Sequence, residues 1–439
     1  MKSMKNCSKL GIYPQFCMGK KTLRRIVLKQ GYHRLYNLSK ISIIAIPTVF
    51  VLISMQISNW SVFEFAGIKG SDFKDYQTIL TYKECLKESG LFKLPLYSSD
   101  CWTGFNYGPT AIFLVGLLEF LFGSTSVVGW VTIIFIALSL FYVSAVYGSS
   151  DVSGRLFQSI LIISPGILLL FERGNLDSWV FLFLLLVVCN YRRLNPWIIF
   201  LTLVSITLIK FYTLIASIYL ILRLPILNFY KTIMIMFITF ATLVFFVPVA
   251  GLIPYNWFLS FGTFMPFIYL DFASPSIQFN SLSFVLKIFL GLVFLSLFTL
   301  ILYKGSLKFR ETVSFNQLQK SSFSMVGDVF SICFLSSYIL STSYDYRLIF
   351  LLPALLILER DLFVDHLRNK NRLSFMVLSL TSLYMGSIYI APFGIFQTLQ
   401  LLGDLGLTLI SGILGLRLIY RYKALNRKGL GHIRHLSIA

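Results

Sequence analysis

Two acidic residues and a tyrosine stand close together soon after the first long apolar stretch of the chain. Asp72, Asp75 and Tyr76 belong to the sequence GSDFKDY. A carboxylate at a membrane surface can act as a general base that takes the proton of an attacking hydroxyl group. Asp75 lies three residues after Asp72 and would share its face on a helix. With Lys69 and Lys74 beside them, both acids could equally be solvated loop residues.

A second polar group separates two apolar segments. Glu172, Asn175 and Asp177 belong to the sequence ERGNLD. Charged groups between membrane-spanning segments are costly unless they reach water or line a cavity. The alternative is a connecting turn, because Gly and Asn are common turn residues.

Two cations interrupt other apolar stretches and could bind an anionic substrate. Lys210 lies in TLIKFY, and Arg347 follows Asp345 and Tyr346. A cation inside a span suggests a phosphate or carboxylate partner, and the planar guanidinium group binds oxyanions well. Alternatively, Lys210 could extend its amine to the interface from a hinge between two helices, and Arg347 could pair with Asp345.

Apolar helices must position all of these residues. The chain has 439 residues, of which 56% are hydrophobic and 13% are charged, with a mean hydropathy of +0.78. A soluble domain would carry about 25% charged residues, and single soluble cores stop growing near about 250–300 residues. We therefore predict an all-α fold, a polytopic transmembrane helical bundle of about 11–13 spans.

The predicted helices follow the apolar stretches of the sequence. These stretches lie at 41–58, 108–123, 127–147, 156–171, 178–191, 196–222, 230–251, 282–303, 325–343, 346–358, 373–391 and 395–417. The stretch at 196–222 is predicted to contain two helices that meet near Lys210. The predicted organisation is a basic cytoplasmic segment at 1–40, a transmembrane domain at 41–417 and a basic cytoplasmic tail at 418–439.

The net charge of +20 is concentrated beside the apolar stretches. Basic residues that flank spans indicate the cytoplasmic side and attract anionic lipid. The predicted partner is therefore the lipid bilayer and not a nucleic acid. We expect a multi-pass integral membrane protein with both termini in the cytoplasm and 41–58 as its retained first span.

The topology contains one conflict. Termini on the same side require an even number of crossings, but simple alternation places Arg192 and Arg193 outside, where the positive-inside rule disfavours them. We therefore expect one short segment between 108 and 171 not to cross.

Two polar segments are predicted to form loops. Residues 59–107 form a long first outer loop, and residues 252–281 form a loop that is rich in aromatic residues and nearly free of charge. Cys85 and Cys101 share the first loop, where the oxidising compartment would allow a disulfide. The cysteine spacings are not those of a zinc site, and the sequence contains no Walker loop and no Gly-rich dinucleotide fingerprint. We therefore expect no cofactor and no required metal.

The order of these polar groups resembles the GT-C superfamily of membrane glycosyltransferases, and most closely the polyprenyl-phosphate-mannose-dependent glycosyltransferase family 87. That family has an Asp followed four residues later by a Tyr in its first outer loop, matched here by Asp72 and Tyr76. An aromatic-Tyr-Pro-Pro entry to the next helix is matched in part by Tyr107 and Pro109.

Three later motifs of the family also have counterparts, in the same order along the chain. A Gly-x-x-Asn turn is matched loosely by Gly174 and Asn175. A Lys-Pro step is matched by Lys210 without the proline. A Ser-x-x-Tyr-Asp-Tyr-like segment resembles residues 343–346.

The resemblance implies inverting transfer of a hexose or mannose-like sugar from a polyprenyl-phosphate donor to a glycan or glycolipid acceptor on the non-cytoplasmic face. It implies Asp72 as the catalytic base, Lys210 and Arg347 as ligands of the departing phosphate, and no required metal. The further implied substrate-binding residues are Tyr76, Asp75, Tyr107, Glu172, Asn175, Asp177 and Tyr346. The bacterial inner membrane is the implied location.

Two other functions remain open. A transporter or flippase for lipid-linked sugars would also need many helices and intramembrane charges, although the polar residues here gather near segment ends. A surface-polysaccharide polymerase would use similar donors but is expected to place its key Arg residues in large late outer loops. The long first loop favours the transferase.

Overall fold

The structure is a computed structural model of the whole chain. It describes residues 74–88, 109–149, 151–164, 166–167, 170, 175–246, 260–261, 324–340, 343–364, 369–386 and 402–419, with single positions at 293, 296, 300 and 399. These residues are almost entirely helical. The predicted all-α class is therefore confirmed for the described part of the chain.

Twelve helices of nine or more residues occur in the described ranges. They are α1 Lys74–Glu88, α2 Pro109–Phe122, α3 Thr125–Tyr147, α4 Val152–Ile162, α5 Asp177–Asn190, α6 Pro196–Ile209, α7 Leu214–Leu222, α8 Asn228–Phe246, α9 Ser324–Leu340, α10 Leu351–Val364, α11 Asn369–Gly386 and α12 Leu402–Ile419. Short 3-10 helices at Phe211–Thr213 and Asp345–Phe350 precede α7 and α10.

Three of these helices are long and apolar enough to cross a membrane. The qualifying segments are Val127–Tyr147, Asn228–Phe246 and Leu402–Ile419. Other apolar helices, such as Asp177–Asn190, are shorter; fourteen residues of α-helix extend about 21 Å, against about 30 Å for a bilayer core. The predicted first span at 41–58 lies outside the described residues.

Local sequence signals explain where several helices begin. Ser124 accepts a hydrogen bond from the backbone N–H of Val127 and so caps α3. Asn195 caps α6 in the same way and is followed by Pro196, whose missing N–H is tolerated in the first helical turn. Gly123 has a φ of 79° in the turn between α2 and α3, a backbone conformation that favours glycine.

The predicted break near Lys210 is confirmed. Helix α6 ends at Ile209, and Lys210 adopts an extended conformation with φ −144° and ψ 114° before the 3-10 helix begins. The hydroxyl groups of Thr207 and Ser217, which lie on opposite sides of the break, form a hydrogen bond of 3.0 Å. A side-chain hydrogen bond thus links α6 and α7 across the interruption of helical backbone at Lys210.

Helices α3, α5 and α10 run in the same direction. The Trp179 indole near the start of α5 donates to the Thr132 hydroxyl in the first half of α3, at 3.1 Å. Cys189 near the end of α5 lies 3.5 Å from the Tyr147 hydroxyl at the end of α3. Arg360, late in α10, donates to the Val146 carbonyl oxygen at 3.4 Å.

The bundle therefore has two ends, named here after one residue at each. The Asp177 end contains the starts of α3, α5, α7, α10 and α12, and the Arg372 end contains the starts of α4, α6, α8, α9 and α11. Contacts between antiparallel neighbours agree with this arrangement: Tyr219 of α7 donates to Asp328 of α9 at 2.8 Å, and Tyr338 of α9 contacts Thr408 of α12.

Aromatic rings fill the core near the Asp177 end. Phe181 of α5 lies 5.1 Å from Phe330 of α9 and 6.1 Å from Phe350, measured between ring centroids. The Tyr212 ring lies 5.7 Å from Phe350 at an edge-to-face angle of 68°. This packing fixes the start of α5, the middle of α9 and both 3-10 helices against one another.

Candidate functional site

A buried carboxylate occupies the first turn of α5. Asp177 is fully buried, and its backbone N–H donates to Asn175 Oδ1 at 2.8 Å. A helix N-terminus stabilises negative charge because its free N–H groups and the helix dipole are positive. The predicted residues Asn175 and Asp177 therefore lie together, at the point where the ERGNLD segment becomes helical.

Tyr212 binds this carboxylate from the break between α6 and α7. Its hydroxyl group donates a hydrogen bond of 2.7 Å to Asp177 Oδ1, and the side chain is fully buried. Tyr212 was not among the residues predicted for the site. Its position two residues after Lys210, at an interruption of an apolar segment, is the signal that could have identified it.

Arg347 approaches the same carboxylate from the 3-10 helix before α10. Its Nε lies 3.5 Å from Asp177 Oδ2, and its guanidinium carbon lies 4.9 Å from the centroid of the Tyr212 ring. Both charged side chains are almost completely buried. Asp177, Tyr212 and Arg347 thus form one cluster, called the Asp177 cluster below, from three separate elements.

Lys210 precedes Tyr212 of this cluster by two residues in the sequence and is 1% exposed. Its carbonyl oxygen accepts a hydrogen bond of 2.9 Å from the Thr213 hydroxyl, which fixes the backbone of the break. The prediction that Lys210 stands at a junction of two helices is therefore confirmed, whereas its role as a phosphate ligand stays a prediction.

Helix α1 is attached to the Asp177 end by three polar side chains. The Tyr76 hydroxyl lies 2.8 Å from the Thr132 hydroxyl and accepts a hydrogen bond of 2.7 Å from the Trp179 indole. Trp179 is two residues after Asp177, so the helix that follows Asp72 in the sequence packs against the helix that carries the buried carboxylate. Asp75 belongs to α1, but its side chain and all of Asp72 lie outside the described residues.

A short strand pair joins the aromatic segment at 252–281 to the same end. Ser260 and Phe261 pair antiparallel with Tyr344 and Ser343. This second strand is followed directly by the 3-10 helix that carries Arg347. The pairing brings part of the predicted loop close to the Asp177 cluster.

Other predicted residues are placed only in part. The backbone of Tyr346 belongs to the 3-10 helix of Arg347, while Tyr107 and Glu172 lie outside the described residues. Cys85 of α1 is disulfide-bonded; Cys101, the expected partner, lies outside the described residues. Among the described side chains, no group of three His, Cys, Asp or Glu residues could hold a metal ion.

A second buried ionic network, which was not predicted from the sequence, lies at the Arg372 end. Arg372 Nη2 and Nη1 donate to the two oxygens of Asp151 at 2.6 and 2.9 Å, and Nε donates to Glu359 Oε1 at 2.7 Å. Ser149 donates to Glu359 Oε2 at 2.6 Å. The network joins the turn between α3 and α4 to α10 and α11.

The charges of this network determine the protonation of Asp151. Burial alone would raise the pKa of Asp151, but hydrogen bonds from Arg372 and Ser153 and the Arg372 charge together hold this pKa well below its usual range. Gly154 provides the necessary space, since a methyl group there would overlap Ser149 and Arg372. We interpret this network as a structural link between helices.

Cations are distributed unevenly between the two ends. The short connections at the Arg372 end carry Arg192, Arg193 and Arg223, all exposed. At the Asp177 end, the described connections carry Lys210 and Arg347, both buried. The Arg372 end therefore presents positive charge to its surroundings, whereas the Asp177 end buries Arg347 beside the Asp177 carboxylate.

Comparisons with known protein families, with curated proteins and with solved structures gave no match to this chain.

Proposed function

We propose that the protein is a polytopic membrane glycosyltransferase that acts on a polyprenyl-phosphate sugar at the Asp177 end. The observation that carries this proposal is the Asp177 cluster: a buried Arg, Tyr and Asp from three elements, next to Lys210 and to the helix that follows Asp72. Buried cations are expensive in a bilayer unless they serve a substrate or a partner.

The Arg372 end is proposed to face the cytoplasm. Its exposed arginines satisfy the positive-inside rule, and the segments 304–323 and 420–439, which adjoin α9 and α12 at this end, are also basic. The disulfide at Cys85 supports an oxidising compartment at the opposite end. The C-terminal tail would then be cytoplasmic, and so would the N-terminus if 41–58 crosses the membrane as predicted. The proposed location is a bacterial inner membrane.

This orientation also removes the conflict over Arg192 and Arg193. In this orientation α3 begins at the outer face. The first outer loop lies at the same face, so helix α2, which joins that loop to α3, begins and ends outside and does not cross. Helix α2 has only fourteen residues, and its Glu119 pairs at 3.3 Å with Lys83 of α1. We propose that α2 is the short segment that does not cross.

The proposed reaction needs a base, an acceptor hydroxyl group and a stabilised leaving group. Asp72 takes the proton of the acceptor hydroxyl, whose oxygen forms a bond to the anomeric carbon. The bond from that carbon to the phosphate oxygen breaks, and its electron pair leaves with the polyprenyl phosphate. Arg347 and Lys210 would stabilise the negative charge that develops on this phosphate.

The remaining residues would orient the substrates. Asp177 and Tyr212 hold the Arg347 guanidinium in one position, which reduces the reorganisation needed when the phosphate binds. Tyr76 positions α1 and hence the segment that carries Asp72. The strand pair at residues 260–261 supports a covering role for the aromatic segment, whose rings would suit a sugar.

In the test, wild type, Asp72→Asn and the matched control Asp75→Asn are each incubated with a panel of polyprenyl-phosphate sugars, and their turnover is compared. Released polyprenyl phosphate is measured by mass spectrometry. We expect wild type and Asp75→Asn to consume one donor and Asp72→Asn to be about 100-fold slower or more, the contribution of a positioned general base.

Two results would contradict the proposal. Equal turnover by Asp72→Asn would exclude this residue as the base. If wild type consumes no donor but moves lipid-linked sugars across vesicle membranes, the protein is a flippase.

A further inference from the structure

A cavity of about 530 Å³ opens at the Arg372 end, far along the bundle from the Asp177 cluster. It lies between the start of α6 and the turn that joins α7 to α8. Its lining residues are Trp197, Pro225, Ile226, Leu227 and Tyr230. The proposed reaction makes no use of this cavity.

Two exposed aromatic residues form one wall of the cavity. The Trp197 and Tyr230 rings lie 6.4 Å apart at 73°, and Trp197 is 55% exposed. Trp and Tyr concentrate at membrane interfaces because their rings are apolar with one polar edge. A cavity walled by such rings at the end of two apolar helices suits the region where lipid headgroups meet acyl chains.

Exposed cations lie in two turns at the same end of the bundle as these rings: Arg192 and Arg193 precede α6, and Arg223 begins the turn that contains Pro225, Ile226 and Leu227. The Tyr191 hydroxyl donates to the Leu220 carbonyl oxygen at 3.0 Å, which ties the turn of Arg192 and Arg193 to the end of α7. Arg223 follows that end and lies 4.5 Å over the Tyr219 ring. Burial raises the pKa of Tyr191 to about 12, and the charge of Arg223 acts in the opposite direction, consistent with their proximity.

Negative charge is scarce around the cavity. The chain contains no Asp or Glu between positions 178 and 270. Lys231, near the start of α8, adds a further cation and donates to the Leu222 carbonyl oxygen at 3.1 Å. Asp328 of α9 is buried and accepts a hydrogen bond from Tyr219.

The outer faces of α6 and α8 continue from the cavity as apolar surface. Leu201, Phe237 and Phe240 are each more than half exposed along these two helices. A site that combines exposed cations, interfacial aromatic rings and a long apolar face suits a ligand with an anionic head and hydrocarbon chains. A soluble anion would leave the apolar face unused.

We propose that this cavity binds an anionic phospholipid of the cytoplasmic leaflet. The headgroup phosphate would lie against Arg192, Arg193 and Arg223, and the acyl chains would follow α6 and α8. The proposal rests on the proposed membrane orientation and is independent of the transferase chemistry.

The experiment uses the full-length protein in detergent and native mass spectrometry with added phosphatidylglycerol or phosphatidylcholine. We expect wild type to bind phosphatidylglycerol about tenfold or more tightly than phosphatidylcholine. The double variant Arg192→Gln/Arg193→Gln should lose most of this preference, because each cation near an anionic membrane contributes about fivefold. Lys83→Gln, at the opposite end, is the matched control and should behave as wild type.

A second variant tests the cavity itself. Trp197→Ala should weaken binding of both lipids, and Trp197→Phe should retain most of it, because the wall needs an apolar ring. Equal binding of the two lipids by wild type, or an unchanged preference in the double arginine variant, would overturn the proposal. Asp72→Asn should bind lipid as wild type does, so a failure of the transferase proposal can be recognised separately.

Discussion

The Tyr212 hydroxyl donates a hydrogen bond of 2.7 Å to Asp177 Oδ1, across 35 residues of sequence. This bond joins the break between α6 and α7 to the first turn of α5. The Tyr212 ring also lies under the Arg347 guanidinium group, so one side chain contacts both members of a buried ion pair.

Tyr212→Phe is expected to reduce the free energy of unfolding by about 1–2 kcal/mol, because the buried carboxylate loses its donor. The ring remains and still packs against Arg347 and Phe350. Thermal unfolding in detergent measures the change. Tyr191→Phe is the matched control, since it removes a tyrosine hydrogen bond at the Arg372 end; donor turnover should fall in Tyr212→Phe only. Equal turnover in both variants would separate Tyr212 from the proposed site.

Arg347→Lys is expected to slow donor turnover by about tenfold or more while retaining most of the stability. Lysine keeps the charge but lacks the planar group that binds phosphate in two places and stacks on Tyr212. Turnover is measured as release of polyprenyl phosphate. Arg193→Lys, at an exposed position, is the control, and unchanged turnover in Arg347→Lys would remove Arg347 from the phosphate site.

Arg372→Ala is expected to reduce the free energy of unfolding by about 3–5 kcal/mol, because Glu359 would remain buried without a cation. Arg192→Ala removes the same side chain from an exposed turn and should change stability by less than about 0.5 kcal/mol. Denaturant or thermal unfolding in detergent compares the two. A small effect of Arg372→Ala would show that the network contributes little to the fold.

Acid is expected to weaken the same network. The pKa of Asp151 is lower in the folded protein than in the unfolded chain, so its stabilising contribution is fully present above the ordinary Asp value of about 3.9 and is lost as the pH falls below it. The melting temperature of wild type should therefore fall more steeply below about pH 4 than that of Asp151→Asn. Parallel curves for the two proteins would contradict this assignment.

Cysteine labelling tests the proposed orientation. Ser124→Cys lies in the turn at the Asp177 end, and Arg193→Cys lies in a turn at the Arg372 end. In intact cells, a membrane-impermeant maleimide should label Ser124→Cys, and it should label Arg193→Cys only after the membrane is opened. The reverse pattern would place the Asp177 end in the cytoplasm.

Most helices could be predicted from the sequence because the signals are local. Apolar stretches gave the positions of α3, α5, α6 and α8 to within a few residues, and the charged Lys210 marked the break before α7. The short helix α4 was predicted less well, because it begins at Val152, four residues before the apolar stretch at 156–171. Charge placement also indicated a basic side, predicted to be cytoplasmic.

Part of the Asp177 cluster was also visible in the sequence. Asp177 and Arg347 stand out as charges between apolar segments, and such residues are costly without a partner. The sequence suggested Asp345 as a partner of Arg347. The structure pairs Arg347 with Asp177, and the Asp345 side chain lies outside the described residues. Because Asp177 and Arg347 are far apart in the chain, no local sequence pattern indicates their contact.

Only the tertiary structure decided which polar groups meet. Tyr212 resembles the many other tyrosines of this chain until the packing of α5 against the two 3-10 helices brings it to Asp177. Likewise, Arg372 and Asp151 are 221 residues apart, and their contact depends on α4 and α11 starting at the same end of the bundle. Composition and periodicity determine that a segment is an apolar helix, but the direction and rotation of each helix depend on long-range packing, and these decide the chemistry at each end.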